Sequence, residues 1–540
     1  MLGPSAHIDT FTRDSLPDRN DWPVITGGPS YPEWLNAGVE LTDAMVALGH
    51  GERIALCGKA LSVSYAELAD WTTRIAQCLA EDLGVVPGNR VLIHGGNTPA
   101  MVACWIGAMK AGAVAVNAMP MLRAAELGTI VDKARVTVAL CDERVAAEMK
   151  ACAETHPGVR HVVTFSGDAR AGAELGQRLQ AKDGAFAPVN TGRDDVALLA
   201  FTSGSTGTPK ATMHFHRDIL TIADGYARDV IGVTPDDICI GTPPIAFTFG
   251  LGAMAVFPLR FGACGVLRDD LTPGSLGAAI AQHKATICFT APTAYRAMIA
   301  EGADPADLVS LRLAFSGGET LPATIYEQWM QKTSVPILDG IGATELLHVF
   351  ITNRPGTAQP GSTGIPVSGY EARIVDAQMR ELPRNTPGRL AIRGPTGCRY
   401  LADDRQRDYV QDGWNLTGDT FTQDESGLFH YVARSDDMIQ SAGYNISGPE
   451  VEAALLGHPA VLECAVVAAP DEARGHIVSA HVIVGEGRTA DPALARELQD
   501  HVKATIAPYK YPRAVHFVAE LPKTQTGKIQ RFRLRESDRP

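Results

Sequence analysis

The chain has no basic excess. Lysine and arginine number 48 against 61 aspartates and glutamates, a formal net charge of −13 over 540 residues. No broad cationic surface is available to displace counterions from a nucleic acid, although a local basic pocket for a phosphorylated small molecule stays compatible with that balance. Cys-x-x-Cys pairs and Cys/His clusters at zinc-ligand spacing are also missing. The ten cysteines are scattered from Cys57 to Cys464, the pattern of a reducing cytoplasm in which thiols serve as small core residues. The opening MLGPSAHIDTFTRDSLPDRND lacks the apolar centre of a signal peptide. The most apolar long stretch, Met101 to Leu122, is interrupted by Lys110, Gly112 and Pro120. It reads as a buried helix followed by a strand, not as a membrane span. No internal repeat or low-complexity tract is present. These absences leave a cytoplasmic globular protein, and its length calls for at least two domains.

What is present is a repeating alternation. From about Arg53 to Gly340, short apolar runs end in Gly/Pro/Ser turns and are followed by longer helical stretches. The runs are RVLIHGG, VTVALCD, HVVTF, VALLAF, DICIG, ATICFTA, LRLAFSG and VPILDG. Continuous apolar strands between helices predict parallel sheets buried on both faces. After Glu345 the texture changes, and YEARIVDAQMRELPRNTPGRLAIRG predicts two strands around a turn. From Gly448 onward a helix, two strands, a helix and a strand make a compact α+β unit of about 100 residues. The boundary is expected near Ala433 to Gln440. The fold class is α/β: a large N-terminal domain of parallel sheets with a small β-barrel-like subdomain, residues 1–434, then a small mobile α+β domain, 435–540.

Four segments carry chemistry. VALLAF runs into FTSGSTGTPK, and a helix is expected from about His216, with Ile219, Ile222, Tyr226 and Val230 on one face. A loop after a buried parallel strand lies at the carboxyl edge of the sheet, where open α/β folds bind ligands. Gly204 and Gly207 let backbone N–H groups turn toward an anion, Ser203, Ser205 and Thr206 add hydroxyls, and Lys210 adds charge. A Walker A loop would place Ser or Thr after its lysine, but Ala211 follows Lys210, so a P-loop NTPase is disfavoured. Ser/Gly/Thr runs also occur as inert surface loops. DGIGATELLHVF puts Thr344 and Glu345 after another buried strand, where a carboxylate can hold Mg²⁺ beside a triphosphate. GWNLTGDTF sets Asp419 behind what reads as a tight Thr-Gly turn, suited to a ribose diol, and LPKTQTGKIQR carries Lys528 on a Gly-bearing loop.

Taken together and in this order, FTSGSTGTPK, SGGE, GIGATE, NLTGD, RSDDMIQSAGYNISGPEVE and PKTQTGKIQ resemble the ANL superfamily of adenylate-forming enzymes. The intervening text is similar to aryl-CoA ligases of the benzoate type, nearest to 2-aminobenzoate–CoA ligases. The resemblance implies an acid–thiol ligase using ATP, Mg²⁺ and coenzyme A: a carboxylate attacks the α-phosphorus of ATP, and the CoA thiol then displaces AMP. By the same resemblance, Thr202, Ser203, Gly204, Ser205, Thr206, Gly207 and Lys210 cradle the β/γ-phosphates. Thr344 contacts the α-phosphate, Glu345 holds Mg²⁺, and Lys528 bridges carboxylate and α-phosphate. Gly317, Gly318, Glu319, Asp339, Gly340 and Ile341 border the adenine, while Asp419 and Arg434 bind the ribose. Many relatives carry an aromatic residue where Ile341 stands, which puts ring stacking in doubt. Asp436 corresponds to the hinge about which the C-terminal domain rotates, and Gly443 to the pantetheine tunnel.

The implied acyl pocket comprises Phe247, Thr248, Phe249, Gly317, Gly342, His348 and Val349. Aromatic walls with small glycines suit one flat ring. His348 is open to two readings: it meets the carboxylate or an ortho substituent, or it is satisfied by backbone at the end of TELLH. No acceptor for an ortho amino group is evident, so benzoate, 2-hydroxybenzoate and related acids stay open beside 2-aminobenzoate. A stand-alone adenylation protein loading a carrier protein's pantetheine arm would use the same core residues. The expected partners are an aromatic carboxylate, ATP and CoA, with no nucleic acid and no membrane, in a monomer or homodimer.

Overall fold

The computed structural model of the chain describes residues 2–167, 169–202, 209–300, 304–319, 321–434, 437–441, 444–471, 475–485, 487–506, 508–523 and 528–538. Each apolar run of the first half is a strand, and among these residues they assemble into two large sheets. The first has the order His161–Phe165, Val136–Asp142, Arg90–His94, Val114–Ala118, Val196–Thr202, Lys210–Phe215, parallel except for the last pair. The second runs parallel from Ile337–Gly342 through Leu313–Ser316, Ile287–Thr290, Ile238–Gly241 and Cys264–Val266 to Ile54–Cys57, with antiparallel strands at both ends. Parallel strands sandwiched between helices lose water on both faces, which is why their sequences are apolar without alternation.

The stretch that most resembled a membrane span is the helix Pro99–Lys110, buried along its entire length, followed by the strand Val114–Ala118. Thr98 caps it, accepting from Met101 N at 3.3 Å, and Pro99 starts it. Lys110 is fully buried at its end. Its ammonium pairs with Asp43 at 2.6 Å and donates to Ala69 O and Thr73 Oγ1, which makes that burial tolerable. Among the described residues no helix is long and apolar enough to cross a membrane.

The helix expected from about His216 is present, and before it Lys210–Phe215 forms a strand antiparallel to Val196–Thr202, with Thr202 opposite Lys210. The helix His216–Ile222 begins after this second strand. Apolar Ala211, Met213 and Phe215 alternate with polar Lys210, Thr212 and His214 at period two, and all but Lys210 are buried. One expectation needs correction: Thr417-Gly418-Asp419 is no turn. It lies inside the strand Trp414–Gln423, where the register slips against Gly388–Arg393 and Gly418 takes φ +76°. The residues form a bulge, the device that re-aims a side chain without ending a strand.

The strands Glu371–Val375, Gly388–Arg393, Trp414–Gln423, Val410–Gln411 and Phe429–Arg434 make a small antiparallel sheet. A separate sheet follows, built from Ile439–Ser441, Tyr444–Ile446, Gly475–Val484, Val461–Asp471 and Ala514–Phe517, with the helices Gly448–Leu456 and Pro492–Thr505 over its own apolar core. Between the small sheet and the first large one, Arg399 and Asp218 form an ion pair at 3.0 Å with both side chains fully buried. The guanidinium lies against the rings of Trp22 and Phe215, 4.9 and 4.3 Å from their centroids. Asp218 also accepts from Phe215 N at 3.0 Å. Arg399→Met should therefore destabilise the fold by about 3–5 kcal/mol, because it strands a buried carboxylate. Adding Asp218→Asn should recover much of that loss in chemical denaturation, and an unchanged midpoint in the single variant would contradict the assignment.

Candidate active site

The carboxyl ends of the two large sheets and the loops of the small one meet at one place. Strand Ile337–Gly342 delivers Asp339, Gly340, Ile341 and Gly342, and a single 3-10 turn, Thr344–Leu346, presents Thr344 and Glu345 beyond it. On the neighbouring strand Ser316 lies opposite Asp339, and the chain continues into Gly317, Gly318 and Glu319. Gly318 has φ +90°, a conformation glycine adopts without strain. A Cβ built there would lie 3.6 Å from Cε of Lys528, so the lysine of the C-terminal unit packs onto this glycine.

Around Lys528 the charges alternate. Arg434 donates to Asp419 Oδ1 at 3.3 Å and to Thr417 O at 3.1 Å, and those strand residues lie opposite each other. Desolvation of the Lys528 ammonium lowers its pKa from the ordinary lysine value, Arg434 adds to this, and Glu319 and Asp419 oppose it. Desolvation raises the pKa of Glu319 and of Asp419, while Lys528 and Arg434 respectively pull them back. The arrangement holds a cation ready against a small set of carboxylates, which suits an anionic ligand whose charge must be met on arrival.

Asp339 stands apart from these charges. Its carboxyl is buried, Oδ1 lacks a hydrogen-bond partner, and burial pushes its pKa up to about 8. An unpaired buried acceptor of this kind matches an exocyclic amine such as that of adenine. Below pH 8 the folded state holds a proton that the unfolded chain releases near pH 4, so this group makes stability fall as pH rises from about 4 to 8. Asp339→Asn should flatten that slope, read as thermal midpoints of the unliganded protein between pH 5 and 9. An equal slope in both proteins would contradict the protonated state.

Glu345 Oε1 accepts a hydrogen bond from the Tyr400 hydroxyl at 2.5 Å, and Lys210 Nζ donates to the same hydroxyl at 3.3 Å. Thr344 is fixed by its carbonyl, which pairs with His214 Nε2 at 2.8 Å. His214 is enclosed, and burial lowers its pKa to about 4, so it is a neutral donor. Among the described residues no three His, Cys, Asp or Glu side chains gather as a metal cage. Glu345 alone fits Mg²⁺ held mainly by phosphate and water, the usual mode for nucleotide-bound magnesium.

The residues expected at an acyl pocket also lie close together. The Phe249 ring packs on Gly317, where a Cβ would lie 3.0 Å from Cζ, and a Cβ at Gly342 would meet the His348 backbone at 2.8 Å. Thr248 and Val349 are buried, and Phe247 precedes the short helix Thr248–Leu251. His348 Nε2 pairs with Phe249 O at 3.2 Å, so the backbone reading of this histidine holds for one nitrogen. Its ring sits among Phe249, Phe257 and Tyr226, and burial drives its pKa to about 3. With the proton on Nε2, the buried Nδ1 is an acceptor lacking a partner.

Of the residues singled out in the sequence, Ser203, Gly204, Ser205, Thr206, Gly207, Asp436 and Gly443 lie outside the described residues. Thr202 and Lys210, which flank the loop, are in place at the hairpin ends. Nothing in the sequence pattern marked Tyr400, His214 or Phe257 as site residues, and Tyr226 was marked only as part of an apolar helix face. Only an aromatic in GCRYLADD and a histidine at period two beside Lys210 hinted at the first two.

Comparison with known proteins agrees with this geometry. Residues 44–400 match the family of AMP-binding enzymes, and residues 450–528 match the AMP-binding enzyme C-terminal domain. A benzoate–CoA ligase of Thauera aromatica is 34% identical over 94% of this chain and 97% of its own length. A crystal structure of the anthranilate CoA ligase AuaEII in complex with anthranoyl-AMP superposes with a TM-score of 0.89 at 32% identity, covering 94% of this chain and 98% of that one. A benzoate CoA ligase from Burkholderia xenovorans LB400 gives a TM-score of 0.85 at 31% identity, covering 93% and 100%. The chain belongs to the AMP-binding enzyme family and is an AMP-forming acid–thiol ligase.

Proposed function

We propose that the protein is an aryl-CoA ligase whose substrate is a benzoate bearing a hydrogen-bond donor on the ring, 2-aminobenzoate foremost. The observation that carries the substrate is His348. Its Nε2 is engaged by backbone, and its buried Nδ1 is left as an acceptor among Phe249, Phe257 and Tyr226. A pocket that buries an unpaired acceptor favours a ring amine or hydroxyl and penalises an analogue lacking one. The relatedness to a benzoate–CoA ligase and to an enzyme solved with anthranoyl-AMP supports the same reading.

In this reading the adenylation step uses the site as follows. Lys528 draws the carboxylate and the α-phosphate together, and Lys210, with the loop before it, receives the β/γ-phosphates. Asp339 accepts from the adenine amine, Gly317, Gly318, Glu319, Gly340 and Ile341 border that base, and Asp419 with Arg434 takes the ribose. Thr344 meets the α-phosphate, and Glu345 holds magnesium, which supplies neutralising charge on the triphosphate. The C-terminal unit, residues 435–540, then turns about Asp436, withdrawing Lys528 and bringing Gly443 to the pantetheine path. CoA is the thiol acceptor, and the protein acts in the cytoplasm.

Lys528→Ala should reduce adenylate formation by about two to three decades, as expected for removal of one preorganised charge. The same variant should still form thioester from supplied aryl adenylate, and retained ATP/pyrophosphate exchange would overturn the assignment. For the substrate, pyrophosphate release should favour 2-aminobenzoate and 2-hydroxybenzoate over benzoate by about tenfold or more in kcat/KM. His348→Phe should erase that preference while benzoate turnover persists. A wild-type enzyme indifferent to the ring donor would refute the role of Nδ1, and one releasing no pyrophosphate with any aryl acid would refute the aryl-ligase reading.

A further inference from the structure

The segment 399–401 lies antiparallel to the strand that begins at Lys210. Met213 N donates to Arg399 O at 2.8 Å, Leu401 N donates to Ala211 O at 2.9 Å, and Thr212 pairs with Tyr400. Tyr400 is fully buried. Its backbone N–H is held by Gln406 Oε1 at 2.9 Å, and its ring is braced edge-on by Tyr409 at 5.8 Å. The phenol is thus fixed from both ends, and its oxygen falls between two charged groups of opposite sign. It donates to Glu345 Oε1 at 2.5 Å and accepts from Lys210 Nζ at 3.3 Å, with the ammonium 5.0 Å from the ring centroid. Lys210 and Glu345 make no direct ion pair.

We infer that Tyr400 is a positioning residue that keeps Lys210 and Glu345 one oxygen apart, so that each stays available to the incoming nucleotide and its metal. A phenolic oxygen gives one hydrogen and can accept another, so it satisfies the carboxylate and the ammonium together without neutralising either. Lysine carries its charge on a flexible four-carbon stem. In a half-buried site facing a carboxylate, it closes onto that carboxylate unless something stands between them. Such a collapse would remove the cation from the leaving pyrophosphate and occupy the metal-binding carboxylate at once. Tyr400 prevents it with an uncharged hydroxyl fixed between the two groups.

The inference rests on Glu345 as the metal-holding carboxylate, and the test separates the two. Tyr400→Phe keeps the ring and its packing and removes only the oxygen. Its melting temperature without ligands should match the parent within a few degrees. Its calorimetric affinity for MgATP should fall about tenfold, and half-saturating Mg²⁺ in pyrophosphate release should rise about as much, the scale of one lost charge-assisted hydrogen bond. KM for the aryl acid should stay within about twofold, because Tyr400 does not reach the acyl pocket. In a Lys210→Met background the same substitution should no longer shift the Mg²⁺ requirement, since no ammonium remains to collapse. A merely structural role would lower the melting temperature and leave the Mg²⁺ requirement unmoved. That result, or a Mg²⁺ shift undiminished by Lys210→Met, would overturn the inference. If Glu345→Gln keeps parental Mg²⁺ dependence, the metal assignment itself fails whatever Tyr400 does.

Discussion

The buried pair of Arg399 and Asp218 is the contact on which the geometry around Lys210 and Glu345 depends. It places a full positive and a full negative charge in a dry interface, which is tolerable because they meet at 3.0 Å with the guanidinium against two aromatic rings. The pair docks residues 399–401 against the strand Lys210–Phe215 and so carries Tyr400 to Lys210 and Glu345. Three segments far apart in the chain thereby meet with hydrogen-bond precision. Loss of this anchor would reach the nucleotide site without touching any group that faces a ligand.

The rest of the site is a balance between burial and charge. Lys528 is an ammonium made less basic by desolvation, held among Glu319, Asp419 and Arg434. Asp339 goes further, a carboxyl buried without a cation and raised to about 8. His214 and His348 are driven the other way, to about 4 and 3, and serve as neutral hydrogen-bonding groups. Ordinary side chains are thus assigned as charged or neutral by their depth and their neighbours, not by their type. The groups around His348 are neutral, and those around Lys528, Lys210 and Glu345 are charged.

Much of the fold was legible because its strands are short, apolar and regularly punctuated. Each of the eight runs from RVLIHGG to VPILDG is a strand, and the helix expected near His216 begins there. The turn expected at Thr417–Asp419 is instead a bulge within a ten-residue strand. Local residue types suggest a reversal of the chain; pairing with a distant strand decides whether one occurs.

By itself the sequence determined the alternation of strands and helices and the set of motifs that mark the family, because these depend on periodicity and on residue types at short spacing. It also located Lys210, Thr344, Glu345, Asp419, Arg434 and Lys528 as the groups to examine. The tertiary structure alone decided which of them touch. Lys528 packs over Gly318 because the C-terminal unit docks there, and Arg434 faces Asp419 because two strands pair in one register. Tyr400 reaches Glu345, 55 residues earlier in the chain, through a strand contact that no local pattern encodes. Hydrogen bonds and desolvation are set by three-dimensional neighbours, so the partners and protonation states of the site appear only once the chain is folded.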